Sequence, residues 1–245
     1  MNLSKAYDRW HERVFDSCPG HPDESSPWYS LVLEHMVPVA GKRVLEVACG
    51  RGGFVKLLAS RGACVFGADF SSAALQIGRQ KIDAHDGRGG QAFFAQADAH
   101  HLPYADSSFD IVVSCETIEH LVDPCAALAE MARVCRTDGL LYLTTPNYAN
   151  LMGLYELYGV LRARKKPSDF AQPLDRRYVF PQVRRFLRQA GWKILYSDGT
   201  VHQVPFPRRN PMPLPFVESN RLVRRWLSPL ALHYFLIGRK KRQFK

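Results

Sequence analysis

Arg43-Val44-Leu45-Glu46-Val47-Ala48-Cys49-Gly50-Arg51-Gly52-Gly53 passes from a β-branched, apolar run carrying one acid into a loop of small residues. An apolar helical pattern, Phe54-Val55-Lys56-Leu57-Leu58-Ala59, follows at once. The reading is strand, tight turn, helix. Small residues let a ligand approach the turn backbone, and the helix N-terminus carries partial positive charge. A Gly-rich turn alone is a weak sign of any one nucleotide cofactor. Asp69, at the end of the next strand pattern (residues 63–68), sharpens it, because an acid there accepts hydrogen bonds from both ribose hydroxyls.

The alternation continues outward from this point. Strands are expected near 43–48, 63–68, 91–96, 110–115 and 140–144, with helices near 53–60, 71–84 and 124–136, the last ending at Thr137-Asp138-Gly139. Such alternation implies parallel strands joined by right-handed crossovers. A basic amphipathic helix near 182–190, a sixth strand near 192–197 and a last strand near 232–238 complete the α/β core. The prolines of 199–230 argue against regular structure over much of that stretch. Residues 1–36 read as partly amphipathic helix, with Tyr7, Trp10, Val14 and Phe15 at helical spacing, broken at residues 19–22.

The opening stretch resembles the first motif of class I S-adenosylmethionine-dependent methyltransferases, acidic-x-Gly-x-Gly-x-Gly. Glu46, Gly50 and Gly52 match it, and Ala48 replaces the first glycine, which removes little room. The resemblance runs on through Asp69-Phe70-Ser71, Ala97-Asp98-Ala99, Leu102-Pro103-Tyr104, Ser108-Phe109-Asp110 and residues 115–121, so it covers about 40–147. It implies a Rossmann-like, seven-stranded, mostly parallel sheet with helices on both faces, the seventh strand inserted antiparallel. It also implies S-adenosylmethionine as cofactor. Glu46 then lies near the methionine amino group, Asp69 holds the ribose, Phe70 packs on the adenine face, Asp98 meets the adenine amino group and Ala99 offers its N–H to the ring. Ala48, Cys49, Gly50, Gly52, Ser71 and Cys115 complete the expected cofactor set. Phe70 as core packing and Asp98 as a loop cap are the plain alternatives.

Methyl transfer needs alignment more than acid–base chemistry, but a hydroxyl acceptor must lose its proton. On a helix after strand four, Glu116, Glu119 and His120 share one face. The same Glu-x-x-Glu-His pattern looks like that of ubiquinone-pathway O-methyltransferases and small-RNA 2′-O-methyltransferases, where it holds a metal. Two readings stay open: a site for magnesium, zinc or manganese on these three residues, or His120 as general base beside Glu116 without metal.

The chain has 245 residues, 46% of them apolar, enough for one sizeable core. The six cysteines are scattered with no CxxC pair, which argues against a zinc ribbon and suits a reducing cytoplasm. No leader and no membrane-spanning run is read from the sequence. Residues 1–40 are expected to form a helical lid and 41–245 the catalytic domain, with an acceptor-side insertion near 147–175. The formal charge is +10, with the basic clusters all after residue 150. Within the insertion, apolar residues 151–161 are followed by Arg162, Arg164, Lys165 and Lys166, a pattern of an interfacial helix on an anionic membrane or of a helix over the pocket. The expected function is O-methylation of a small or lipid-like acceptor, at the cytoplasmic membrane face if peripheral. An RNA methyltransferase and a non-catalytic cofactor-binding subunit are the rivals. Nucleic acid ranks behind because no RNA-reading aromatic ladder is visible.

Overall fold

Val44, Leu45 and Val47 are buried in β1 (Arg43–Val47), which lies mid-sheet with a strand on each side. A parallel strand covered on both faces has no solvent side, so its sequence reads as a near-continuous apolar run. The computed structural model of the chain describes residues 3–17, 26–83, 90–153, 172–206 and 210–241. Around β1 it sets β2 (Cys64–Asp69), β3 (Gln91–Gln96), β4 (Phe109–Cys115), β5 (Cys135–Pro146), β6 (Trp192–Thr200) and β9 (His233–Lys240) in the order β3-β2-β1-β4-β5-β9-β6. The first five strands run parallel, and β9 is antiparallel to both β5 and β6, as the resemblance implied.

One face carries α2 (Pro27–His35), α3 (Gly53–Ser60) and α4 (Ser72–Asp83) over a core that includes Phe54, Leu58 and Phe235. The other carries α5 (Pro124–Val134) and α6 (Phe180–Gln189) over Leu128, Leu187 and Trp192. The buried Trp192 indole donates to the Leu128 carbonyl at 2.9 Å, which fixes β6 against α5. Helix α1 (Leu3–Ser17) packs beside α4. Its Asp8 carboxylate accepts from the Ser71 hydroxyl at 2.7 Å and from the Ala73 N–H at 3.2 Å. An acid from another helix thus occupies the positive N-terminus of α4.

Three expectations need correction. Helix α5 ends at Val134 instead of 136, because the chain enters β5 at once through a bulge opposite Phe109, with Asp138 left-handed at φ +64°. Residues 199–230 hold more order than their prolines suggested. A small hairpin pairs β7 (Gln203–Val204) with β8 (Met212–Pro213), and α7 (Pro215–Ser219) and α8 (Arg221–Trp226) follow. Proline opens α7 at the first helical position, where a missing N–H costs nothing. Third, no α-helix carries Glu116, Glu119 and His120 directly after β4. Glu116 is left-handed at φ +49°, and residues 118–120 form one 3₁₀ turn before Asp123 caps α5. Residues 154–171, with most of the expected insertion helix and its basic cluster, lie outside the described residues.

Candidate active site

The sheet order reverses between β1 and β4, and open α/β sheets bind ligands at such a switch point. A cavity of about 820 Å³ opens there. Its cofactor end is built from the loops after β1 and β2. Asp69, buried at the end of β2, accepts from the Gly50 N–H at 2.8 Å on one oxygen and from the Ser71 N–H at 2.8 Å on the other. Those bonds hold the carboxylate at the cavity wall with lone pairs to spare. Burial raises its pKa to about 6 against the pull of the two amides.

Ala48, Cys49, Gly50, Phe70, Asp98, Ala99 and Cys115 line the cavity, as expected of cofactor residues. Gly52 and Ser71 do not, and each acts from behind. Gly52 caps α3 at φ +73°, and a Cβ there would come within 2.7 Å of the Phe94 ring. Ser71 ties Asp69 to Asp8. Ala48 does more than take up a little room. It is left-handed at φ +57°, a conformation that costs an L-residue roughly 1–2 kcal/mol.

Glu46 is only 2% exposed and forms no part of the cavity lining. Its Oε2 has no hydrogen-bond partner, and burial together with Asp69 drives its pKa well above the carboxylate range. An orphaned carboxylate oxygen in that position fits a cationic ligand group. Asp98 accepts from the backbone and ring Nδ1 of His100, the latter at 2.5 Å. His100 Nε2 in turn accepts from the Asp123 N–H at 3.2 Å, so the proton sits on Nδ1. Despite some desolvation, these bonds hold Asp98 below the usual carboxylate range.

The far end of the cavity is acidic and aromatic, lined by Tyr7, Trp10, Trp28, Tyr29, Leu121 and Val122. His120 Nδ1 donates to the Leu174 carbonyl at 2.6 Å, and the Tyr7 hydroxyl donates to the same oxygen at 3.1 Å. Burial lowers the His120 pKa and keeps the ring neutral. Glu119 is buried, with one oxygen accepting from Thr145 Oγ at 2.9 Å, and burial and Glu116 raise it well above the ordinary value. Glu116 meets His233 instead: Nδ1 of His233 donates to Glu116 Oε2 at 2.8 Å, and Trp28 packs on the same imidazole with ring centres 5.0 Å apart. Burial depresses His233, but the Glu116 carboxylate outweighs it and the net shift is upward.

The expected metal triad is therefore not assembled. Glu116, Glu119 and His120 all reach the cavity, but the left-handed Glu116 turns to His233; Glu119, bonded to Thr145, keeps its other oxygen 3.5 Å from Nε2 of His120, whose Nδ1 is on the Leu174 carbonyl. Among the described residues, no three or more His, Cys, Asp or Glu side chains gather as a metal site. Sequence reasoning missed His233, whose one signal is a polar residue opening an otherwise apolar strand. It also missed Trp28 and Tyr29, and the Leu174 carbonyl has no sequence signal at all.

With this geometry in place, the comparisons with known proteins give the class. Residues 45–143 match the family described as "Methyltransferase domain". The chain is 30% identical over 205 residues to a ubiquinone biosynthesis O-methyltransferase of Aromatoleum aromaticum, covering 78% of this chain and 80% of that one. The chain belongs to the class I S-adenosylmethionine-dependent methyltransferases. It is also 34% identical over 159 residues to a demethylmenaquinone methyltransferase of Clavibacter sepedonicus; that match spans 64% of this chain and 61% of its relative. Among solved structures, a chain from the complex between the Haloferax volcanii Trm112 methyltransferase activator and a methyltransferase superposes with a TM-score of 0.69 over 100% of both chains at 20% identity, a likeness of fold. The residues present fit the family's cofactor. Asp69 keeps free lone pairs at the cavity wall that ribose hydroxyls could use, and the orphaned Glu46 oxygen is an unused acceptor behind it that a cationic amino group would draw into its charged form.

Proposed function

We propose that the protein methylates a hydroxyl oxygen of a small, apolar or lipid-like acceptor, with His233 as the group that receives the hydroxyl proton. The His233–Glu116 pair at the aromatic end of the cavity carries this reading. S-adenosylmethionine, when bound, supplies an electrophilic methyl group on a sulfonium. Asp69 and Asp98 then hold the ribose and adenine, and Glu46 compensates the methionine ammonium. His233 donates Nδ1–H to Glu116, which leaves Nε2, with no partner among the described residues, as the basic nitrogen. The Glu116 carboxylate fixes that tautomer and stabilises the imidazolium that forms. Trp28, Tyr29, Leu121 and Val122 offer apolar surface to the acceptor and exclude water.

Helix α1 serves as the lid. It is fastened by Ser4 Oγ to the Phe70 carbonyl at 3.0 Å, by Asp8 to α4 and by Tyr7 to Leu174. In this reading His120 is a positioning residue, and the reaction uses no divalent cation. The deciding experiment incubates the protein with methyl-labelled cofactor and matched phenol, catechol and aniline acceptors. Transfer to the hydroxyl compounds, lost on His233→Ala, supports the proposal. Transfer to amine alone, or full activity in His233→Ala, overturns it.

A further inference from the structure

The segment between β6 and β9 exposes large apolar side chains that a water-facing surface does not require. Leu222 and Trp226 are each 80% exposed, Phe216 is 70% exposed and Met212 48%. Isolated exposed leucines are ordinary, but a set on one short stretch of folded chain marks an interaction surface. Leu222 and Trp226 stand four residues apart on α8 and so share one face. That face borders a shallow groove walled by Phe180, Arg184, Arg225 and Tyr234.

Charge decides what covers it. Residues 206–230 hold Arg208, Arg209, Arg221, Arg224 and Arg225 against one acid, Glu218. Arg224 is buried and spent on Glu34 and Asp198, and Arg221 pairs with Glu34. Arg225 lies over the Tyr196 ring, 4.8 Å from its centre, and Arg184 reaches only the Tyr234 hydroxyl; neither meets a carboxylate among the described residues. Exposed tryptophan and leucine with unneutralised arginine at their rim match the boundary between acyl chains and anionic headgroups, where amphipathic side chains keep their charge in the wet layer. A second copy of the chain is the weaker occupant. A two-fold interface sets a patch against itself, and here the arginines would repel in a chain of formal charge +10.

We propose that α7, α8 and the groove beside them form a docking surface for an anionic lipid bilayer, distinct from the basic stretch 151–166. The inference stands without the methyl-transfer chemistry. Its position is apt nonetheless: His233 and Tyr234 are consecutive on β9, and one lines the catalytic cavity while the other lines the groove. Successive strand residues point to opposite faces, so the groove and the cavity flank the same end of β9.

The test is co-sedimentation of the full chain with vesicles of phosphatidylcholine alone or mixed equally with phosphatidylglycerol. We expect binding to the mixed vesicles at low salt, little to phosphatidylcholine, and at least a tenfold loss of binding in Leu222→Ser/Trp226→Ser and separately in Arg225→Glu. Cofactor binding and thermal unfolding, followed in parallel, show that these surface variants remain folded. Equal vesicle binding by the variants overturns the proposal and moves the contact to residues 151–166. Equal binding to neutral and anionic vesicles overturns the charge argument. A wild-type dimer that the double variant converts to monomer, with no vesicle binding, assigns the face to a second copy and overturns it as well.

Discussion

His233 and Glu116 lie 117 residues apart in sequence and 2.8 Å apart in space. Their pairing fixes a pH dependence. Glu116 holds the His233 pKa above its ordinary 6.5, so the basic form accumulates only above that value. Turnover at saturating cofactor rises with pH through a midpoint higher than 6.5. In Glu116→Gln the carboxylate is gone and burial prevails, so the rising limb moves to lower pH while kcat falls by about 10²-fold or more. A pH–rate profile of the two proteins checks both signs. An unmoved limb removes His233 from the proton path.

Asp69 makes a second prediction. Its pKa of about 6 means that the carboxylate loses its acceptor strength as pH falls through that value. Cofactor affinity therefore weakens between pH 7 and pH 5. Asp69→Asn loses roughly 1.5–3 kcal/mol of binding and most of that pH dependence. Isothermal titration across the range provides the measurement.

Ala48 is strained and replaceable. At φ +57° glycine has no Cβ penalty, so Ala48→Gly relieves local strain, partly offset by the greater freedom of glycine in the unfolded chain. We expect a gain of up to about 1 kcal/mol in unfolding free energy, with cofactor affinity equal or better. Chemical denaturation reads it directly, and a loss of stability in Ala48→Gly shows that the methyl group makes packing contacts outweighing the strain.

The disposition of Glu116, Glu119 and His120 gives a fourth expectation. Glu116 is turned onto His233 and no three ligands gather among the described residues, so chelation with EDTA and add-back of magnesium, zinc or manganese leave turnover unchanged. A chelator-sensitive rate restored by one metal restores the triad as well.

Helix α1, proposed as a lid, has a separable readout. Asp8→Ala removes the acid at the N-terminus of α4 and costs about 1 kcal/mol of stability. Tyr7→Phe removes only the hydrogen bond to Leu174. Both variants release cofactor faster in stopped-flow chase experiments, and unchanged release rates argue that α1 does not gate the cavity.

The sheet was legible because buried parallel strands announce themselves as apolar runs between turn residues. Val44 to Val47 and Ile111 to Val113 are such cases, and the Gly-rich turn and Asp69 do come together at one end of the cavity. What escaped was set by distance or by backbone. Helical spacing placed Glu116, Glu119 and His120 together on paper. A single left-handed residue at Glu116 and the need to start α5 at Pro124 undid that arrangement. His233 joins the site only because β9 inserts between β5 and β6, a pairing that no local pattern encodes. The short helices of 215–226 were hidden by the prolines around them: Pro215 opens the first, which a long helix would not tolerate inside it, and an Asn220 cap opens the second.

The oxygen of Leu174 accepts one hydrogen bond from Tyr7 and one from His120. A carbonyl has two lone pairs, and here both are used. Any displacement of that peptide breaks the two bonds together, so the N-terminal helix and the imidazole are released in one step and not by degrees. Because the acceptor is main chain, the identity of residue 174 is free to drift without uncoupling them. Helix α1 and the His120 side of the cavity are thereby yoked through an atom that side-chain substitution at 174 does not remove.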